Sequence, residues 1–555
     1  MIKRFLAVNF GRAWVRWLSA ALLLGGILAA PFALRPNEPG LGKDADETLV
    51  ILSPHNETIR HEFSRAFGEY MVAKNGKRVR IDWRTIGGTS DISRYIDGSY
   101  VAAFDHYWRR KLKKDWRATG TPGMVASEEE EPDDTPHDDT EVEAARREFL
   151  KSDVSIGVDL FFGGGTFPYQ NHADKGHLVD SGIFERRPEW FTEDIIPETA
   201  SGELLYDPEQ RWVGSCLSSF GICYNMDWIE RLGVDEPTQW SDLGDPVYSG
   251  AIALADPTKS GSATKAFEML IQEQLSLAVN AIDHDRVVDP DQAYKDALDE
   301  GWSTAMNLIQ RIAGNARYFT DYSPKIPHDV AQGNAAAGMC IDFYGRTLNE
   351  QLMHKDGTSR LKFVTPKGGT SIGADPIAMF RGAPHKELGE DFIEFVLSPT
   401  GQRLWHYKRD APFGPQEQAL RRMPIRKDAY TPLELIHSSD PDAKPYEKAE
   451  AFTYHPEWTE EHFQVIQFLV QVMCLETHEE LKEAWQALID SNFPDRAEEI
   501  FFDVSYIGYT NVTGELSENI REGDPLTVQK RRRDLRENFR KNYQLAAMTA
   551  RMELE

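Results

Sequence analysis

Positive charge is scarce in this chain. Over 555 residues, 62 Lys and Arg stand against 89 Asp and Glu, a formal net charge of −27. A nucleic-acid binder would need a basic face, so that class of partner is set aside. Cysteine is scarce too, with four in all: Cys216, Cys223, Cys340 and Cys474. They form no disulfide framework and no metal-type Cys/His spacing. On one extended strand Cys216 and Cys223 would lie roughly 23 Å apart at about 3.3 Å per residue, too far to bridge. Four buried thiols are expected. No GxxxxGK[ST] phosphate loop is present, because the lysine of "GSATKAF" has the wrong spacing. No GxSxG, HExxH or SxxK stands in a suitable context, so nothing points to a hydrolase and the chain is read as non-enzymatic. After residue 34 no apolar run is long enough to span a bilayer.

One such run stands at the start. Lys3, Arg4, Arg12 and Arg16 precede "WLSAALLLGGILAAPFAL" (17–34). A basic flank before an uncharged apolar run is an export signal or a membrane anchor. A clean A-x-A cleavage site is missing, which tilts the reading toward an anchor. The rest of the chain is then extracytoplasmic or periplasmic, held at the inner membrane by residues 17–34.

Beyond this segment the pattern is α/β. "TLVILSP" (48–54) reads as a buried strand, followed by a helix over about 57–74, a strand in "RVRIDWRTI" (78–86) and a turn into a helix at "GGTSDISRYI" (87–96). Residues 101–152 interrupt it. They hold a basic helix and then the acidic, proline-containing "SEEEEPDDTPHDDTEVE" (127–143), read as a disordered insertion. "VSIGVDLFFGGG" (154–165) resumes as a strand, and "WVGSCLSSFGICYN" (212–225) reads as one long strand. "AAAGMCIDFYGR" (335–346) is strand-like, and "KELGEDFIEFVLSPTGQRLW" (386–405) is an amphipathic helix. From about Asp440 the chain is helical and charged.

Three strand ends share one chemistry: "GGTS" with Gly88, Thr89 and Ser90; "GGGT" with Gly165 and Thr166; and "SGSA" with Ser260, Gly261, Ser262 and Ala263. In open α/β sheets ligands bind beyond the carboxyl ends of the strands. Helix N-termini there offer unpaired N–H donors and a positive dipole end, and glycine lets the backbone approach. Such turns can hold an anion without a lysine. Helix capping by the same Ser and Thr hydroxyls is the competing explanation.

Taken in order, "LVILSPHNETI", "IDWRTIGGTSDISRYI", "DLFFGGGTF", "GICYNMD", "DPVYSGAIALADPTKSGSATKAF", "VAQGNAAAGMCIDFYGR" and "DFIEFVLSPTGQRLW" resemble the extracellular solute-binding proteins of ABC importers. The branch they resemble is the ferric-iron-binding type, with its phosphonate- and thiamine-binding relatives. The likeness covers about 47–430 apart from the insertion. It implies a two-lobed periplasmic-binding-protein fold (type II, a flytrap). Residues 1–46 would be signal or anchor plus linker, and 47–212 lobe one with the insertion at about 101–152. Residues 213–363 would form lobe two, 364–435 the return to lobe one, and 436–555 a helical C-terminal extension. The resemblance also implies a small solute and an ABC-importer permease as partners, besides the membrane contacted through the N-terminal segment.

In ferric relatives a histidine follows the first strand and two adjacent tyrosines come from lobe two. His55, beside Asn56, stands in the first position. "DFYGR" offers Asp342 and Tyr344, with Phe343 in place of one tyrosine. His55, Asp342 and Tyr344 are thus the implied ligands for Fe3+ as cargo, and no resident cofactor is expected. A phosphonate, phosphate ester or thiamine is the alternative solute, and a membrane-anchored sensor the alternative use of the fold. His172 and His177 in "NHADKGH" (171–177) invite a metal reading that an ordinary loop also explains.

Overall fold

The computed structural model describes residues 45–114, 141–283, 286–522 and 525–553. The 17–34 segment and the acidic residues 127–140 lie outside these. Fourteen strands are described: β1 (Glu47–Leu52), β2 (Val79–Arg84), β3 (Leu160–Phe162), β4 (Leu178–Val179), β5 (Thr199–Ala200), β6 (Glu203–Leu204), β7 (Val213–Ser218), β8 (Phe220–Asn225), β9 (Ile252–Ala255), β10 (Ala316–Thr320), β11 (Ala337–Ile341), β12 (Leu361–Val364), β13 (Gly373–Phe380) and β14 (Met423–Pro424). They build two main sheets. The first runs β14-β7-β13-β3-β1-β2, with β4 against β13, and the second β10-β9-β11-β8-β12. In each, three strands are parallel (β2-β1-β3 and β10-β9-β11) and the strands beside them run antiparallel.

Local sequence explains the elements. Leu49, Ile51 and Leu52 of β1 are fully buried. The helix Glu57–Asn75 starts where the Asn56 side chain accepts from Ile59 N, and ends at Gly76 in the left-handed region. Its buried Ile59, Phe63, Phe67 and Met71 recur every four residues, one face against the sheet.

Several sequence expectations are corrected. The 154–165 strand shrinks to β3, because Gly163 and Gly164 take φ of +93° and +106° and turn the chain away. The strand expected over 212–225 is split at Ser219, so the crossing between sheets falls there and not at residue 213. At the split, side chains replace ladder partners: Ser219 N donates to Asp342 Oδ2 (3.2 Å) and Phe220 N to Thr370 Oγ1 (3.2 Å). The 335–346 segment leaves strand at Ile341, and Asp342 opens a helix to Gln351. The 386–405 helix is two, Lys386–Leu397 and Pro399–His406, since Pro399 lacks an N–H and Ser398 caps the second.

The insertion is also smaller than expected. Helix Thr89–His106 runs on through the turn Tyr107–Lys111, and Glu141–Lys151 is helical. Phe104, Trp108 and Phe149 are buried in one cluster with Tyr100, Tyr169 and Trp212. These flanks belong to the first lobe because their aromatic residues share one face.

The C-terminal helices Phe463–Val470, His478–Asp490, Asp495–Phe501 and Pro525–Met552 join the second lobe's core, packing on helices Gly261–Asn280 and Pro290–Gly314. Trp302 donates to Ile507 O (2.8 Å) and Trp485 to Asn315 Oδ1 (2.7 Å). All four cysteines are buried free thiols.

Candidate functional site

The parallel strands of both sheets point their carboxyl ends at one cleft. At the ends of β2, β3 and β9 begin the helices Thr89–His106, Thr166–Asp174 and Gly261–Asn280. The first two are capped by Gly88 and Gly165, which have no side chain to satisfy the first amides. The third is capped by Ser260, whose hydroxyl accepts from Ala263 N at 3.3 Å.

The structure brings these turns together across the cleft. A methyl group at Gly261 would lie 2.8 Å from Thr89 Oγ1, and one at Gly88 would lie 3.1 Å from Lys259 O. A methyl at Gly164 would meet Thr89 Cγ2 at 2.5 Å. Gly88 and Gly261 therefore bring the two lobes into near contact, and a side chain at Gly261 would have to displace Thr89. The hydroxyls of Thr89, Ser90, Thr166 and Ser262 hold no hydrogen bond among the described residues and remain available as donors.

The other sequence-derived residues are placed differently. Asn56 is an exposed helix cap. His55 is buried between the rings of Phe162 (4.7 Å) and Trp405 (5.7 Å). Its Nε2 faces the Gly163 backbone without a hydrogen-bond partner. Burial, then Arg422 and Arg60, hold its imidazole well below the ordinary range, so it is neutral at pH 7. Asp342 lies at the hinge. Its carboxylate accepts from Ser219 N and Oγ (both 3.2 Å), from Phe343 N (2.6 Å) and from Arg346. Tyr344 lies against Phe343, ring centroids 4.0 Å apart and tilted by 40°, and its hydroxyl holds no hydrogen bond among the described residues. Burial and the neighbouring Tyr322 push its phenol pKa up, against the opposing pull of Arg422.

Arg422 is the residue that sequence reading missed. It is fully buried, pairs with Asp375, donates to Cys216 Sγ at 3.2 Å and lies 4.2 Å from the Phe343 ring. Burial is the largest influence and opposes its charge, but Asp375, Cys216 and Asp342 together outweigh it and hold the guanidinium protonated. Its positive field reaches both His55 and Tyr344. Nothing in "LRRMPIR" (420–426) connects it to strand ends more than 70 residues away in sequence. Tyr322, exposed just past β10, was likewise unmarked.

A cavity of about 710 Å³ lies at the hinge, walled by Ser219, Arg346, Thr370, Arg421, Asp440 and Lys448. In this wall Arg421 is paired with Glu350 (2.6 Å) and Asp440 (2.5 Å) and Arg346 with Asp342, while Arg346 Nε has no hydrogen-bond partner.

Residues 158–431 match the family model of the bacterial extracellular solute-binding proteins. This segment belongs to that family, whose members are extracellular solute-binding proteins. It is similar to the phosphoglycerate transport regulatory protein PgtC of Salmonella typhimurium, 23% identical over 192 residues, which are 35% of this chain and 40% of PgtC. It is also similar to a putrescine/agmatine-binding protein of Pseudomonas aeruginosa, 23% identical over 233 residues, 40% of this chain and 57% of that one. The chain thus spans about two fifths of the length of PgtC. Among solved structures, the periplasmic binding protein AfuA of Actinobacillus pleuropneumoniae, with exogenous fructose-6-phosphate bound, aligns over 77% of this chain and 98% of its own, at 16% identity and a TM-score of 0.46. Iron-bound HitA of Pseudomonas aeruginosa aligns over 76% and 98%, at 14% identity and a TM-score of 0.41.

Proposed function

We propose that the solute is a small phosphate ester or phosphonate, held by its anionic group at the three helix N-termini and delivered to an ABC-importer permease. The observation that carries this reading is the approach of "GGTS" and "SGSA" across the cleft, with a Gly261 methyl only 2.8 Å from Thr89 Oγ1. Amides of Thr89, Ser90 and Thr166 from one lobe, and of Gly261 and Ser262 from the other, would donate to phosphate oxygens. The free hydroxyls of Ser90, Thr166 and Ser262 would add to them, while Tyr344 and Tyr322 would contact the body of the solute. The name of PgtC agrees with a phosphorylated solute.

Ferric iron is less well supported. Asp342 is engaged by Ser219, Phe343 N and Arg346, and His55 Nε2, although it has no hydrogen-bond partner, is buried against the Gly163 backbone. Calorimetry with inorganic phosphate, 2- and 3-phosphoglycerate, glycerol 3-phosphate, ferric citrate and putrescine tests the reading. A phosphorylated compound should bind with the highest affinity. Tight binding of ferric ion or putrescine with none of any phosphorylated compound would overturn it.

A further inference from the structure

A second cluster of ligating groups lies inside the first lobe. Asp97 comes from the helix Thr89–His106, eight residues and so about 12 Å along its axis from Thr89. His172 comes from the helix Thr166–Asp174, and His177 directly precedes β4. His172 Nδ1 is 3.1 Å from His177 Nδ1, and the two lie 3.7 and 3.8 Å from Asp97 Oδ1. Among the described residues this is the convergent group of three His, Cys, Asp or Glu side chains, and it includes neither His55 nor Asp342.

The geometry is that of a ligand set. A cation equidistant from the corners of that triangle would stand about 2.1 Å from each atom, the length of zinc–nitrogen and zinc–carboxylate bonds. The rings are held in place before any ion arrives. His177 stacks on Tyr100 at 4.4 Å and 11°, and its backbone N–H donates to His172 O at 2.8 Å. Both imidazoles are buried, and burial pushes their pKa values down to about 3 and about 2, so both are neutral. His172 Nε2 has no partner in either tautomer.

We propose that Asp97, His172 and His177 form a binding site for a divalent transition-metal ion of the zinc class, separate from the solute cleft. Two neutral imidazole nitrogens and one carboxylate oxygen suit zinc and leave a fourth position open. Entry is from the side of Asp97, which is partly exposed. Lys175 is the competitor: its Nζ lies 3.1 Å from both Asp97 oxygens and must swing out, which its partial exposure permits. A bound ion would tie the helix Thr89–His106 to the helix Thr166–Asp174.

The test is zinc binding to the full chain, by calorimetry and by metal content after gel filtration. One zinc per chain is expected. Lys175→Ala should bind it about tenfold tighter or more, because the competing ammonium is gone. Asp97→Asn and His172→Ala should each weaken it by about a hundredfold. The site is refuted if neither the parent nor Lys175→Ala takes up stoichiometric zinc. It is also refuted if Asp97→Asn retains parental affinity, since the ion would then be elsewhere. His172→Ala opens a hole in packed core and can fail to fold; Lys175→Ala and Asp97→Asn alter partly exposed groups and decide the matter without it.

Discussion

Ser260 and Ser262 sit two residues apart on one turn and have different hydrogen-bond states. The Ser260 hydroxyl caps the helix through Ala263 N, whereas the Ser262 hydroxyl has no partner among the described residues. Ser260→Ala should therefore lower stability by about 1 kcal/mol, visible in thermal melts. Ser262→Ala should leave the melt unchanged and weaken solute binding about ten- to a hundredfold, the worth of one charge-assisted hydrogen bond. Gly261→Val should be the most severe, since even a methyl there meets Thr89. If calorimetry shows Ser262→Ala binding like the parent, the turn is a cap and the anion lies elsewhere.

Glu273 is the residue with a pH signature. Burial pushes its carboxyl up to about 7, against the hydrogen bond from Gln274, and it lies against Gly369 in the return crossing. The folded state then binds a proton that the unfolded chain, titrating near about 4.3, releases first. The resulting stability is fully present below about pH 4 and is lost as pH rises through about 7, up to about 3 kcal/mol in all. Urea unfolding from about pH 5 to about pH 8 should show this decline, and Glu273→Gln should flatten it. An identical slope in the variant would assign the effect to other groups.

Among elements, the C-terminal helices matter for what they touch. They share the core of the second lobe, yet they also reach the first. Phe463 stacks on Phe167 at 4.6 Å, Gln170 donates to Glu460 Oε1 at 2.6 Å, and Tyr454 N donates to Ser201 O at 2.6 Å. Lys265 of the second lobe lies 3.1 Å from Glu203 of the first. The extension thus spans the mouth beside the helix Thr166–Asp174. A stacked aromatic pair contributes about 0.5–1.5 kcal/mol beyond area burial, enough to bias an opening equilibrium severalfold. Phe167→Ala combined with Gln170→Ala should raise the radius of gyration of the solute-free protein in small-angle scattering while the helical content stays fixed. Unchanged scattering would mean that these contacts do not restrain the lobes.

For the whole molecule, the chain crosses between the lobes three times: at Ser219 between β7 and β8, over residues 365–372 between β12 and β13, and between Ala449 of the first core and Phe452 of the second. Asp342 of the second lobe grips Ser219 at the first of these. A solute that contacts both lobes favours the closed form, so scattering should show a smaller radius of gyration when it binds. Tight binding with no change in shape would count against closure as the mechanism.

What the sequence determined by itself was much of what acts over a few residues. The apolar run of β1, the helix that follows it, the Ser260 cap and the glycine-rich strand ends are set by backbone preference and periodicity and were legible, whereas Asn56, expected as a ligand contact, is a cap, and the Ser398–Pro399 helix break was not legible. The order of those signals also gave the family. Tertiary structure alone decided what depends on which faces bury together. It placed Arg422 under His55 and Phe343, set Asp97 beside His172 and His177, drew the 101–112 and 141–152 flanks into the first lobe, and merged the C-terminal helices with the second. It also removed Asp342 from the cleft, because a carboxylate at the hinge satisfies Ser219 amide and hydroxyl groups that the sheet crossing leaves unpaired. These pairings join residues tens to hundreds of positions apart, and no local preference of the chain encodes them.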